Sequence, residues 1–235
     1  MKPSEGPEKR KASKNPVKEV FLKRRVLLLD HYGIDLVLDV GANTGRYGRE
    51  MRKHGYKGGI VSFEPLNEAL IKLKEKAAED PLWVVEECAL GDREGEMLIN
   101  ISGNSVSSSI LEMLPIIPEV VPRAAYVGTQ KIRVKPLDAV FPKYWNSTSS
   151  VFLKIDTQGY EKRVLEGAMD SLRHIKGIQL EVSLVPLYEG ETLLHEILPY
   201  ALDLDYTLMS IEPGFHDSAT GRLFQADLIF FKEGQ

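Results

Sequence analysis

A chain of 235 residues, 43% hydrophobic and 27% charged, is long enough for one large domain with a sizeable core and too short for two full ones. The composition excludes a collagen, a coiled coil and a mainly disordered chain; no apolar run nears the ~18 to 20 residues that span a bilayer, and one cysteine, Cys88, allows neither an internal disulfide nor a cysteine-based zinc site. The net charge of −4 is unevenly spread: residues 1–25 hold nine Lys/Arg against three Glu, leaving 21 against 31 Asp/Glu in a body with no basic footprint for nucleic acid. Residues 1–15 read as a basic, disordered leader, and 16–235 as a single domain. With no membrane segment and no secretory signal pattern, a cytoplasmic location is the default expectation.

Taken in chain order, Val17, Val20, Phe21, Leu27 and Leu28 recur at helical intervals before Gly33, which predicts an N-terminal helix over 17–31. Leu36 to Val40 is a short apolar run, the pattern of a parallel strand covered on both faces. A helix over 46–54, a strand over 60–63, a helix over 67–78 with Asn67 as N-cap, and a strand over 82–85 follow. This alternation predicts an α/β, doubly wound and mostly parallel sheet. Residues 96–101 read as an extra strand, and 102–130 as a long Ser- and Pro-containing flap with an apolar centre over 110–121. Strands near 132–134, 151–155 and 178–184, and helices over 161–174 and 192–202, complete the alternation. Strands near 206–211 and 226–231 read as a closing antiparallel hairpin, for seven core strands in all.

Asp39-Val40-Gly41-Ala42-Asn43-Thr44-Gly45 lies where the first strand meets its helix, and its glycines permit a tight turn and close approach to a ligand. Glu64, at the end of the second strand, is placed to accept both hydroxyls of a ribose. A dinucleotide fingerprint beginning at Gly41 would need glycines where Asn43 and Arg46 stand, and no Gly-Lys-Ser/Thr phosphate loop is present. Asp39 beside the turn would repel phosphates but could hold a cationic amino-acid end. S-adenosylmethionine meets those requirements.

Asp156 ends the strand over 151–155, where open sheets place their ligands, and is the candidate to orient an acceptor and take its proton. Glu161 reads mainly as a helix-terminal acid. Asp156 and Glu181 end neighbouring strands and are compatible with a divalent cation, but spacing alone assigns no metal ligand. Cys88 reads as a packed small hydrophobe and His216 as an exposed loop residue.

The run DVGANTG, Phe63-Glu64-Pro65, the turn Ala89-Leu90-Gly91-Asp92 and the segment from Lys154 to Glu161 together resemble the FkbM-type S-adenosylmethionine-dependent methyltransferases over about residues 36–184. The resemblance implies a Rossmann-like class I methyltransferase fold and methyl transfer to a hydroxyl of a small molecule, sugar or polyketide-like. It also implies that Gly41, Asn43 and Gly45 line the methionine end, Glu64 the ribose, and Ala89 and Leu90 the adenine. One departure stands out: Gln158 occupies a position where the family usually has Glu, and a neutral amide serves as neither base nor strong metal ligand. A non-catalytic binding module on the same fold and a nucleotide-dependent oxidoreductase are the alternatives. No motif encodes the acceptor's identity or the oligomeric state.

Overall fold

The structure, a computed structural model, describes residues 16–233; the leader expected over 1–15 lies outside them. The chain runs through α1 (Pro16–His31), β1 (Leu36–Val40), α2 (Arg46–Lys53), β2 (Gly59–Phe63), α3 (Asn67–Ala77), β3 (Trp83–Glu86), β4 (Ala89–Leu90) and β5 (Gly95–Ser102). It continues with α4 (Ile116–Val120), β6 (Tyr126–Lys135), α5 (Leu137–Val140), β7 (Val151–Ile155), α6 (Glu161–Glu166), β8 (Ile175–Ser183), α7 (Leu194–Asp203), β9 (Thr207–Pro213) and β10 (Gln225–Phe231). The main sheet has seven strands in the order β3-β2-β1-β7-β8-β10-β9, with β10 antiparallel to both neighbours. This is the doubly wound sheet and closing hairpin that the sequence predicts. None of the described helices is long and apolar enough to cross a membrane.

Strand alternation divides the core into two faces. Val37, Ile60 and Phe152 pack under Leu22, Val26 and Leu29 of α1, Met51 of α2 and Leu73 of α3. Their neighbours Leu38, Val61 and Leu153 face the opposite way, against Val164 and Leu165 of α6 and Ile197 of α7. The first helix forms as expected but buries a different face: Leu22, Arg25, Val26 and Leu29 are inside, whereas Val17, Val20 and Leu27 are exposed. Arg25 explains the choice, because its guanidinium reaches Glu212 on β9 at 2.5 Å and lies 3.7 Å from Asp227 on β10.

Three further expectations are corrected. The helix expected over 161–174 stops at Glu166 and resumes only as a 3₁₀ turn, Ser171–His174. A Cβ at Gly167 would lie 1.9 Å from the carbonyl oxygen of Gly91, so the break follows from close packing on the turn after β4. Asn67 is the first residue of α3 rather than its cap; Leu66 holds the cap position, and the Leu66 N–H donates to Glu64 Oε1 at 2.8 Å. Residues 102–130 are only partly irregular, since they contain α4, the 3₁₀ turn Pro122–Ala124 and the start of β6.

β6 pairs antiparallel with β5 and parallel with β4, making a second sheet of three strands in the order β4-β6-β5. The sequence offered β5 and the end of β6 as separate strands and did not announce this sheet. Ile99, Ile132 and Val134 from it pack on Leu66 and Ala69 at the start of α3, which walls off one end of the main sheet's carboxyl edge. The apolar centre of the expected flap has its own small core, where Ile117 and Ala124 meet Leu187, Tyr188 and Phe224.

Candidate active site

A cleft opens over the carboxyl ends of β1, β2 and β7. Phe63, Leu66, Leu90, Ile99 and Ile110 make an apolar wall, and the residues that line it include two acids, Glu64 and Asp156, and no Lys or Arg. A mostly apolar lining with a few convergent polar groups suits a small organic ligand. The absence of basic side chains along the wall removes the usual partners of a pyrophosphate.

The turn after β1 is shaped by close approach. Gly41 has φ +71°, and a Cβ there would lie 1.9 Å from the carbonyl oxygen of Asp156. Glycine is therefore required first by the end of β7, and the exposed backbone edge toward the cleft follows from it. Asn43 is left-handed as well, at φ +46°, and its side chain accepts the Thr44 N–H at 2.8 Å. That local bond is what lets asparagine hold the conformation. Its amide also donates to the Ser105 carbonyl at 3.2 Å, tying the turn to the loop after β5.

Glu64 is 3% exposed. Its two oxygens accept the N–H groups of Asn43, at 2.7 Å, and Leu66. Burial outweighs these donors and pushes its carboxyl up to about 7. Each oxygen keeps a second lone pair for a ligand hydroxyl.

Asp156 is half-buried on the floor of the cleft. Its Oδ1 accepts from Gln158 Nε2 at 2.9 Å, and its Oδ2 lies 3.5 Å from Lys154 Nζ. Glu181, on the neighbouring β8, accepts from the same Gln158 nitrogen at 2.5 Å and hydrogen-bonds to Asp156. Burial and the charge of Asp156 push the Glu181 carboxyl well above the usual range. Glu161 has a structural position: it accepts the Thr157 N–H at 2.8 Å and the Gly159 N–H at 3.3 Å, and burial pushes it up to about 7.

Six of the eight expected site residues, Gly41, Asn43, Glu64, Ala89, Leu90 and Asp156, line this one cleft. Two do not. Gly45 turns inward, where a Cβ would meet Leu73 and Trp83 at 2.7 and 3.2 Å, so packing of α2 on α3 is what demands glycine. Asp39 is fully buried, 3.0 Å from Lys154 Nζ, and accepts from the Ser62 hydroxyl at 3.2 Å. A carboxylate engaged in this way is not available to a ligand.

Lys154 is the residue the sequence reading missed. It is 4% exposed, and its ammonium also donates to the carbonyls of Val40 and Gly41 at 3.2 and 3.3 Å, binding the end of β1 to β7. The signal was present, because a lone charge in each of two apolar strands, Leu-Val-Leu-Asp-Val and Val-Phe-Leu-Lys-Ile, demands a partner. The register pairs Asp39 with Lys154. His216 is exposed in the β9–β10 loop, and Cys88 is buried with its thiol pushed up to about 11 by burial. Among the described residues, no group of three or more His, Cys, Asp or Glu is arranged to hold a metal ion.

The fold is the Rossmann-like α/β architecture of class I methyltransferases. Two solved structures share the architecture, each with a TM-score of 0.50: an rRNA methylase from Streptococcus thermophilus and the magnesium protoporphyrin IX methyltransferase ChlM from Synechocystis PCC 6803 with bound SAM. The first is 11% identical and covers 94% of this chain and 99% of its own; the second is 9% identical and covers 95% and 87%. Residues 39–208 match the methyltransferase FkbM domain, so the chain belongs to the FkbM methyltransferase family and is an S-adenosylmethionine-dependent methyltransferase. The 2-O-methyltransferase NoeI of Sinorhizobium fredii (strain NBRC 101917 / NGR234) is 24% identical over 196 residues, spanning 79% of this chain and 78% of NoeI.

Proposed function

We propose that this enzyme methylates a hydroxyl oxygen of a small polar molecule, with a sugar as the first acceptor class to test. The observation that carries the reading is Asp156, a half-buried carboxylate on the cleft floor with Oδ1 held by Gln158 and Oδ2 3.5 Å from Lys154 Nζ. Likeness to a 2-O-methyltransferase supports the same direction. The acidic body, with 21 Lys/Arg against 31 Asp/Glu beyond residue 25, disfavours a nucleic-acid acceptor.

When bound, S-adenosylmethionine would supply an electrophilic methyl carbon on a cationic sulfur, open to attack by an acceptor oxygen, with the C–S electron pair leaving on sulfur. Glu64 receives the ribose hydroxyls, the apolar wall from Leu66 to Ile110 takes the base, and the backbone from Gly41 to Asn43 borders the tail. The cleft's charge suits that cation, because its only charged lining groups are carboxylates. Asp156 Oδ2 accepts the acceptor's hydroxyl proton, and Lys154 Nζ, 3.5 Å away, steadies the carboxylate. Ser105, Val106 and Ser108 form the side of the cleft supplied by the loop after β5, which would keep water from the reacting oxygen.

Calorimetric titration with S-adenosylmethionine, S-adenosylhomocysteine and a nicotinamide dinucleotide tests the site. Binding of the first two alone is expected. Methyl-labelled cofactor offered with a panel of sugars and amines then tests the acceptor: label on a hydroxyl oxygen supports the reading, and label on nitrogen alone overturns it.

A further inference from the structure

Gln158 is held in a conformation that a freely placed side chain would avoid. Its φ is +56°, and Gly159 follows at +94°. A left-handed backbone is costly for a residue without a short polar side chain bonding locally, and such strain concentrates at working sites. The turn places every polar atom of the Gln158 side chain on a partner. Nε2 donates to Asp156 Oδ1 at 2.9 Å and to Glu181 Oε2 at 2.5 Å, and Oε1 accepts from the Tyr188 hydroxyl at 2.8 Å. The backbone carbonyl of Gln158 accepts from the Ser109 hydroxyl at 2.6 Å.

The two hydrogens of one amide thus go to two different carboxyl groups. Burial and the charges of its neighbours push the Glu181 carboxyl upward. The groups facing the pair come from four segments. Lys154 lies below Asp156 on β7, Glu161 on α6, Asp227 on β10, and Glu191 follows Tyr188 in the loop after β8. Gln225 Nε2 gives Glu181 Oε2 a second amide donor at 3.2 Å.

We propose that Gln158 is the positioning residue of the acceptor side, its neutral amide clamping Asp156 and Glu181 together so that Asp156 turns Oδ2 toward the acceptor hydroxyl. The inference rests on the methyltransferase reading above and adds to it a reason for the amide. A carboxylate in place of Gln158 would bring three acids around one point, and that arrangement calls for an extra proton or a divalent cation.

The decisive variant is Q158E, examined by thermal melting between about pH 5 and about pH 9, with and without magnesium chloride. Wild-type melting is expected not to respond to magnesium. Q158E should melt lower than wild type at neutral pH, recover toward it near about pH 5, and be raised by magnesium. Gln158→Met keeps the volume, removes the amide and adds no charge. It should bind S-adenosylhomocysteine within about twofold of wild type. Its kcat should fall by about tenfold or more while KM for the cofactor is unchanged, because Asp156 is no longer held in position. Q158E that melts like wild type in every condition, or an unchanged kcat in Gln158→Met, overturns the proposal. Failure of wild type to bind S-adenosylhomocysteine would instead strike the underlying reading, and the melting comparison would still be read.

Discussion

The two halves of the cleft are built by different means. At the half proposed to hold the cofactor, Glu64 is fixed by two backbone N–H groups, and the turn from Gly41 to Asn43 is fixed by glycine and asparagine conformations. At the half proposed to receive the acceptor, Asp156 is held by Gln158 from the loop after β7, which is held in turn by Glu181 of β8 and Tyr188 of the loop after β8. The first kind of site is written in short segments of sequence. The second exists only when distant segments meet, so substitutions should affect binding in one half and turnover in the other.

The largest effect should come from the ion pair beneath both halves. Lys154→Met leaves Asp39 fully buried and uncompensated, and should cost about 3–5 kcal/mol in chemical denaturation. Combining it with Asp39→Leu should return most of that loss, because a buried pair replaced by apolar groups is close to neutral. A double variant as unstable as the single one would show that Lys154 acts mainly through the Val40 and Gly41 carbonyls.

Next is Asp156→Asn, which separates the halves. Cofactor affinity should stay within about 0.5 kcal/mol, as for a surface change, while single-turnover methyl transfer falls by about 10² to 10⁴. Unchanged turnover with a verified acceptor would leave alignment, rather than proton removal, as the role of the cleft floor.

Glu64→Ala should do the reverse and weaken S-adenosylmethionine binding by about 1.5–3 kcal/mol in calorimetry, the range for hydrogen bonds to a charged group. Asn67→Ala is the control, since Asn67 does not line the cleft. Equal affinities in the two variants would move the ribose site elsewhere.

The smallest expected effect is a pH dependence of the ligand-free protein. Glu64 and Glu161 are raised from 4.5 to about 7 by burial, so the folded state holds their protons more tightly than the unfolded state. Their contribution to stability is complete below about 4.5 and is lost as pH rises through about 7. Melting temperature should decline across that window, and Glu64→Gln should flatten the decline. Cofactor affinity should rise over the same window, because the ionised Glu64 accepts ribose hydroxyls best.

The order of strands and helices was legible because each element carries its own period: the apolar runs at Leu36–Val40 and Val151–Ile155 state parallel strands without help from the rest of the chain. Glu64 and the turn from Gly41 were legible for the same reason, since strand end and ligand-facing loop are contiguous in sequence. The buried face of α1 was not, because Arg25 goes inside only where Glu212 and Asp227 wait for it, some two hundred positions later. The fate of Asp39 depended on register, which pairs it with Lys154 and removes it from the cleft. The sequence thus determined the α/β alternation, the glycine turn that borders the cleft and the acid at the end of β7, all set by local periodicity and turn chemistry. Tertiary structure decided which acids are spent on cations, which face a ligand, and how Gln158 binds two carboxyl groups at once, because the energy of a buried charge depends on partners that only the fold brings within reach.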